Sequence, residues 1–286
     1  MRTRPTSWWL AMLRKRRARM AEETLDLSQP MAFKSSQEQL AAIAFFNAAF
    51  RAEESGLRQA HALSELTARW DPELAECLKL YGDEEGWHRQ LLTEFLGWMG
   101  GEVRPMGRTT RTFYGLYGRA ERMESIVLVN LMFETIGSTT YRLALRRVEH
   151  PAVRQMLAIL TRDESFHVPL NVHFLRQALA RAPRSRRRLR ALYHAMFVAL
   201  VASTIPSRRR AERFDAIPRR VLSRAYAVEL ARLFLEQDDL GLEPSRALLR
   251  AFGLDRDALM RAPSAVSLEA AERAAQRENV VVEAYE

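Results

Sequence analysis

Two short motifs bring together side chains that bind metal ions. The first, EEGWH, carries Glu85 and His88, and the second, DESFH, carries Glu164 and His167. In each motif the glutamate and the histidine are three residues apart, which on a helix places them on one face, one turn apart. A carboxylate and an imidazole presented in this way can bind the same ion. The sequence therefore predicts a metal site with ligands from two helices.

A second acidic residue, Glu84 or Asp163, precedes the glutamate of each motif. A metal-bound histidine usually gives its other ring N–H to a carboxylate, which fixes the orientation of the ring. Glu84 and Asp163 are therefore predicted to accept these hydrogen bonds from the histidines, each carboxylate reaching across to the opposite motif.

Two further helices are each expected to add one glutamate. Glu134 lies in the apolar segment NLMFETIGS, where an uncompensated buried carboxylate would be costly, so we expect it to face a cation. The other helix offers Glu53 or Glu54, which lie on the two borders of its apolar face. The parallel between Glu53-x-x-Gly56 and Glu134-x-x-Gly137 favours Glu53, whereas the residues seven positions later favour Glu54.

Four carboxylates and two imidazoles around two ions are a ligand set that suits iron or manganese. The predicted ligands are Glu53 or Glu54, Glu85, His88, Glu134, Glu164 and His167.

The elements that must position these ligands are predicted to be helices throughout. Ala, Leu, Arg and Glu dominate, and no stretch alternates as a strand would. Four long helices are expected at about 36–68, 71–99, 117–148 and 151–180, with a long connection only between the second and the third. This is the outline of an all-α four-helix bundle with one long crossover.

Three stretches follow from this outline. Residues 1–34 form a basic segment that is either a frayed tail or an amphipathic docking helix, and residues 35–182 form the two-metal bundle. Residues 183–286 form a C-terminal helical extension, with helices at about 186–205, 216–238, 243–252 and 265–278.

The pattern E…EExxH…E…DExxH resembles the ferritin-like di-iron carboxylate superfamily over about residues 36–180. It is most similar to the soluble acyl-carrier-protein desaturases and related di-iron oxygenases, including arylamine N-oxygenases. Leu160 stands where the N-oxygenases carry a further histidine, so their seven-ligand site is not expected. The resemblance implies a ferritin-like fold and two iron ions, with a manganese–iron pair as the alternative.

The resemblance also implies an O₂-activating oxidoreductase that desaturates, hydroxylates or N-oxygenates an organic substrate. Its electrons would come from a ferredoxin, a reductase or peroxide. In such oxygenases a hydroxyl about one turn after the third glutamate lies beside the oxygen pocket, which here indicates Ser138 and Thr139. A hydroxyl that bonds back to its own helix is the alternative for both residues. The alternative function is non-catalytic iron handling or peroxide removal.

The formal charge of +9 is concentrated in residues 1–24, 181–190 and 207–220. The arginines of the last two segments could dock an acidic acyl or peptidyl carrier protein through its phosphate. Nucleic acid is not expected, because no basic motif is interleaved with aromatic residues. A homodimer is compatible with an exposed bundle face.

Composition excludes several classes of protein. A chain that is 48% hydrophobic is not disordered, and the single cysteine, Cys77, excludes an internal disulfide framework. The longest apolar run, Ala191 to Pro206, contains a histidine and is shorter than the ~18 residues that a membrane span needs. We expect a cytoplasmic protein, with peripheral membrane contact through its basic N-terminal segment as an alternative.

Overall fold

A computed structural model of the chain describes residues 4–107, 111, 114, 115, 117, 118 and 120–261. Within these residues every regular element is helical, which confirms the all-α class. The α-helices are α1 (Thr6–Met20), α2 (Ser36–Thr67), α3 (Pro72–Trp98), α4 (Met123–Leu145), α5 (Pro151–Arg181), α6 (Arg186–Asp215), α7 (Arg219–Glu236), α8 (Arg246–Ala251) and α9 (Arg256–Arg261). Short 3₁₀ turns lie at Pro183–Ser185 and Asp238–Leu240.

The starts of the long helices follow from local capping chemistry. The Ser35 hydroxyl accepts the backbone N–H of Glu38 and opens α2, and the Asp71 carboxylate accepts that of Leu74 and opens α3. These bonds satisfy amide donors that have no partner within the first turn of a helix. Pro72 stands at the first position of α3, where its missing N–H costs nothing.

The chain divides into two compact units, each assembled from three stretches. The first takes the described residues of Met1–Ile126, Arg147–Met156 and Pro206–Pro218. The second takes those of Val127–Arg146, Leu157–Ile205 and Arg219–Glu286. The domains expected from the sequence are continuous stretches, and they stay a prediction.

The first unit has an aromatic core between α2, α3 and the end of α6. The ring centroids of Phe46 and Phe95 are 4.8 Å apart, and Phe214 lies 5.4 Å from Phe45 and 5.7 Å from Phe46. The sequence predicted that α6 ends near residue 205, but the helix continues to Asp215. Burial of Phe214 accounts for the added turns, because a buried phenylalanine stabilises the fold by roughly 1.5–3 kcal/mol.

The second unit has a core around Tyr193, whose ring lies 4.6 Å from that of Phe234 and 6.0 Å from that of Phe197. Burial raises the pKa of Tyr193, and its hydroxyl donates to the Leu230 carbonyl. In the same unit the Thr140 and Tyr226 hydroxyls are 2.6 Å apart, which joins α4 to α7. The predicted helix at 265–278 lies outside the described residues.

Helix α1 occupies part of the N-terminal segment that the sequence left open between a tail and a docking helix. Trp9 and Leu13 are only 3% and 2% exposed, so this helix is packed against its unit. Over the part of the chain that the structure describes, no helix combines the length and the apolar character that crossing a membrane requires.

Candidate metal centre

The first unit brings Glu53, Glu85 and His88 together. One ligand atom from each lies within 4.8 Å of the others, and all three side chains are buried. Nδ1 of His88 is 3.2 Å from Oε2 of Glu53. Two ligand atoms that are each about 2 Å from one ion are separated by roughly 3–4 Å, so this spacing suits a shared cation.

The hairpin of α2 and α3 explains why these residues meet. Glu53 lies 14 residues before the end of α2 at Thr67, and Glu85 lies 13 residues after the start of α3 at Pro72. At 1.5 Å per residue both glutamates are roughly 20 Å from the turn, and therefore at the same height on the two helices.

Gly56 leaves the space that the Glu85 side chain occupies. A Cβ atom at Gly56 would lie 3.1 Å from Cδ and 3.1 Å from Oε2 of Glu85. Contacts this short force a neighbour to move, so any larger residue at position 56 would displace the carboxylate.

Glu54 has different surroundings from Glu53. Its carboxylate is 2.6 Å from Nη1 of Arg51 and 3.1 Å from Nη2 of Arg58. Its charge is thus balanced by two arginines of its own helix. The structure brings Glu53 into the cluster and holds Glu54 in these ion pairs.

The second unit contains a matching group, Glu134, Glu164 and His167. Nδ1 of His167 lies 3.7 Å from Oε2 of Glu134 and 3.5 Å from Oε2 of Glu164, and the imidazole is fully buried. Glu134 comes from α4, and the other two come from α5, one turn apart. Each unit therefore carries one glutamate from one helix and a Glu-x-x-His pair from the next.

Arginines bind the two carboxylates that precede the motifs. Asp163 is fully buried, and Nε and Nη2 of Arg162 donate to it at 2.8 and 2.9 Å. Glu84 accepts from Nε of Arg16 at 3.1 Å, and its other oxygen accepts from Nη2 of Arg16. Support of the opposite histidine by each carboxylate stays a prediction.

Sequence reasoning missed Arg16. Its signal lies in α1, where Trp9, Leu13 and Arg16 follow each other at helical spacing on one stripe. An arginine on an otherwise apolar stripe needs a buried anion, because an uncompensated buried charge is costly.

Ser138 and Thr139 are both buried, but their hydroxyls differ. The Thr139 hydroxyl donates to the Thr135 carbonyl at 2.7 Å. The Ser138 hydroxyl has no hydrogen-bond partner within the described part of the chain. Ser138 lies one turn after Glu134 on α4, so it is the better candidate of the two for contact with a small molecule.

Tyr114 was not singled out from the sequence. Burial, reinforced by the charge of Glu53, raises the pKa of Tyr114 to about 12. Its phenol therefore stays protonated at neutral pH, in the electrostatic reach of the first cluster. Its place in the glycine-containing stretch between α3 and α4 gives no pattern from which this role could be predicted.

The residues of both clusters fit a cation. Oε1 of Glu53 is buried and has no hydrogen-bond partner among the described residues. Each cluster places two carboxylates beside one imidazole in a buried environment, where negative charge needs compensation. Mixed carboxylate and imidazole donors suit iron, manganese and similar divalent metals.

Comparison of the chain with protein-family models, curated proteins and solved structures gives no match. The resemblance to the di-iron carboxylate superfamily therefore depends on the sequence motifs alone.

Proposed function

We propose that the protein is a di-iron oxidoreductase that uses O₂ to oxidise an organic substrate. The observation that carries the proposal is the repeated ligand group: each unit buries two glutamates and one histidine, in the same helical arrangement. If the two motifs were merely Glu–His pairs on the protein surface, their side chains would not be expected to be buried. The ferritin-like bundle predicted from the sequence belongs to the same proposal.

In this proposal Glu53, Glu85 and His88 hold one ion, and Glu134, Glu164 and His167 hold the other. Bound iron would supply the electron transfer to O₂ that protein side chains do not provide. The remaining tasks fall to the chain, which must fix the ligands and exclude water from the reaction.

Several side chains are suited to those tasks. The Arg162–Asp163 and Arg16–Glu84 pairs place fixed carboxylates next to the ligand glutamates. The buried Ser138 hydroxyl keeps an O–H that can donate a hydrogen bond to a small molecule. Its neighbours in sequence, Gly137 and Thr139, are also small.

The electron balance defines what else the reaction needs. Reduction of O₂ to two waters takes four electrons and four protons, of which the substrate supplies two of each in a desaturation. The other two electrons would come from a ferredoxin or a reductase. Peroxide, which is already reduced by two electrons, could replace both O₂ and this donor. Exposed arginines of the second unit, Arg184 and Arg187, are candidates for docking an acidic carrier protein. Unchanged carrier affinity after charge reversal at both positions would contradict that docking.

The test is oxygen consumption by protein loaded anaerobically with Fe²⁺ and then mixed with a reductant and candidate substrates. We expect uptake that depends on iron and on substrate, and that His88→Ala abolishes. His61→Ala is the matched control, because His61 is half exposed and pairs with Asp83 instead. One uptake event per iron load that no substrate changes, together with a cage on sizing chromatography, would favour iron handling instead.

A further inference from the structure

The N-terminal helix places one charged residue in the interior of the first unit. Arg16 is 8% exposed and continues the buried stripe of Trp9 and Leu13 on α1. Its guanidinium meets Glu84, which is 1% exposed, on α3. A buried charge needs a partner, and Arg16 and Glu84 provide one for each other where α1 meets α3.

The pair has the geometry of a two-pronged clamp. Nε and Nη2 of Arg16 each donate to a different oxygen of Glu84. This fork arrangement fixes the plane of the carboxylate as well as its position. A lysine could supply the charge but not the fork.

The clamped carboxylate lies directly behind the metal cluster. Glu84 adjoins the ligand Glu85 in sequence and lies one turn before His88 on the same helix. An oxygen of Glu84 and a ring nitrogen of His88 are within 4.8 Å of each other. The charge of Glu84 therefore lies close to the His88 ring, on the same helix as Glu85 and His88 of the first cluster.

We propose that Arg16 is a positioning residue for the metal centre: it fixes the carboxylate of Glu84 and so keeps a negative charge beside the ring of His88. The inference rests on the proposed function, because it requires that the first cluster binds a metal. On this inference the N-terminal helix increases the affinity of the cluster for metal, which an amphipathic docking helix or a frayed tail would not do.

Arg14 provides a matched control on the same helix. Nε and Nη2 of Arg14 donate to Glu76 of α3 at 3.2 and 2.7 Å. That pair is largely exposed, with side-chain exposures of 60% and 43%. It also joins α1 to α3, but it lies two turns from Glu84 and does not border the cluster.

The experiment measures Co²⁺ affinity by equilibrium dialysis, with Co²⁺ as the probe, and urea unfolding of the metal-free proteins. We expect Arg16→Met and Glu84→Gln each to weaken binding about 10- to 100-fold, the range for loss of a supporting partner. The double variant should lose no more than either single variant, since both interrupt one chain of contacts. Arg14→Met should bind Co²⁺ within about twofold of the wild type.

Arg16→Lys keeps a positive charge in the interior and replaces Arg16→Met in the experiment if that variant does not fold. We expect it to fold and still to lose affinity, because it lacks the fork. Wild-type Co²⁺ affinity in Arg16→Lys or Arg16→Met would overturn the inference. A double variant whose loss of affinity equals the product of the two single losses would overturn it as well. Failure of the wild type itself to bind Co²⁺ or Fe²⁺ would instead overturn the proposed function.

Discussion

Adjacent glutamates on α2 have opposite surroundings. Glu53 is 1% exposed beside His88, and one of its oxygens has no hydrogen-bond partner among the described residues. Glu54 is held by Arg51 and Arg58. The same substitution at the two positions therefore distinguishes the proposed metal ligand, Glu53, from the ion-paired Glu54.

We expect Glu53→Gln to weaken Fe²⁺ binding at the first cluster by at least tenfold, because an amide is a poorer ligand and carries no charge. Glu54→Gln should keep wild-type affinity and lose about 1–3 kcal/mol of stability instead, because it leaves the mostly buried guanidinium of Arg51 without its charged partner. Metal titration and urea unfolding measure the two effects. Equal affinity in both variants would contradict the assignment of Glu53.

From the sequence, the candidate ligand on α2 could be limited to Glu53 or Glu54, but the choice between them could not be made. A helical wheel gives the direction of each Cβ, and Glu53 and Glu54 flank the apolar face on either side. The deciding information lies in the neighbours, since Arg51 and Arg58 are three residues before and four residues after Glu54. Pairs at those spacings meet on a helix surface, so this signal was present in the sequence.

Gly56→Ala is expected to separate metal binding from stability. Alanine favours a helix over glycine by about 1 kcal/mol, but its methyl group would displace the Glu85 carboxylate. We predict unchanged or higher thermal stability of the metal-free protein, with Fe²⁺ affinity at least tenfold lower. Both are measurable on one preparation by calorimetry and metal titration.

Gly86→Ala is the control for this variant. A Cβ at Gly86 would meet Leu57 at 3.5 Å, which is an ordinary contact, although Gly86 directly follows Glu85. Loss of metal in Gly86→Ala as large as in Gly56→Ala would show that any change in these helices disturbs the site, against a specific role for Gly56.

At the scale of elements, α1 covers the only cysteine of the chain. Cys77 on α3 is fully buried, and its Sγ lies 3.7 Å from the Thr6 carbonyl of α1. Burial, with the charges of Glu73 and Glu76 adding to it, raises the pKa of the Cys77 thiol from 9.0 to about 12. Thiol reactivity therefore reports whether α1 is docked.

We predict that a thiol reagent labels Cys77 slowly at pH 8 in the native protein. Burial under α1 keeps the reagent away, and the raised pKa keeps the thiol protonated. Leu13→Ala removes a side chain that is 2% exposed and should lower the free energy of unfolding by about 2–5 kcal/mol. Labelling should then be at least tenfold faster through local opening of α1. Lys15→Ala, on the exposed face, should label at the wild-type rate.

The same thiol gives a dependence of stability on pH. The folded-state pKa lies above the unfolded one, so the unfolded chain loses its proton first as the pH rises. The contribution of Cys77 to stability is therefore complete below about pH 9 and decreases from there toward pH 12. Cys77→Ala should remove this part of the decline, and an identical decline in both proteins would contradict the raised pKa.

The starts of α2 and α3 were predictable because they carry strong local signals, whereas the third long helix starts at Met123 and not near residue 117. Ser35, Asp71 and Pro72 mark helix starts through backbone hydrogen bonding, which a short window of sequence contains. The end of α6 was not predictable in this way, since Phe214 is buried by rings from α2 that lie far away in sequence. Tertiary packing extended that helix beyond its local pattern.

In the whole molecule, the motifs singled out the residues of both clusters, and the structure buries each cluster within one unit. The division of the chain into two units was not predicted, because α4, α5 and α6 each contribute to both of them. Hydrophobic periodicity shows which face of a helix is buried, but not which neighbour buries each part of its length.

Low-temperature Mössbauer spectroscopy of the full chain, loaded with enriched iron and exposed to O₂, distinguishes a coupled pair of irons from isolated ions. The proposed function predicts two irons per chain with antiferromagnetically coupled spins and a diamagnetic ground state. Iron that does not bind at all, or that gives the magnetic spectrum of isolated high-spin ferric ions, would contradict the account.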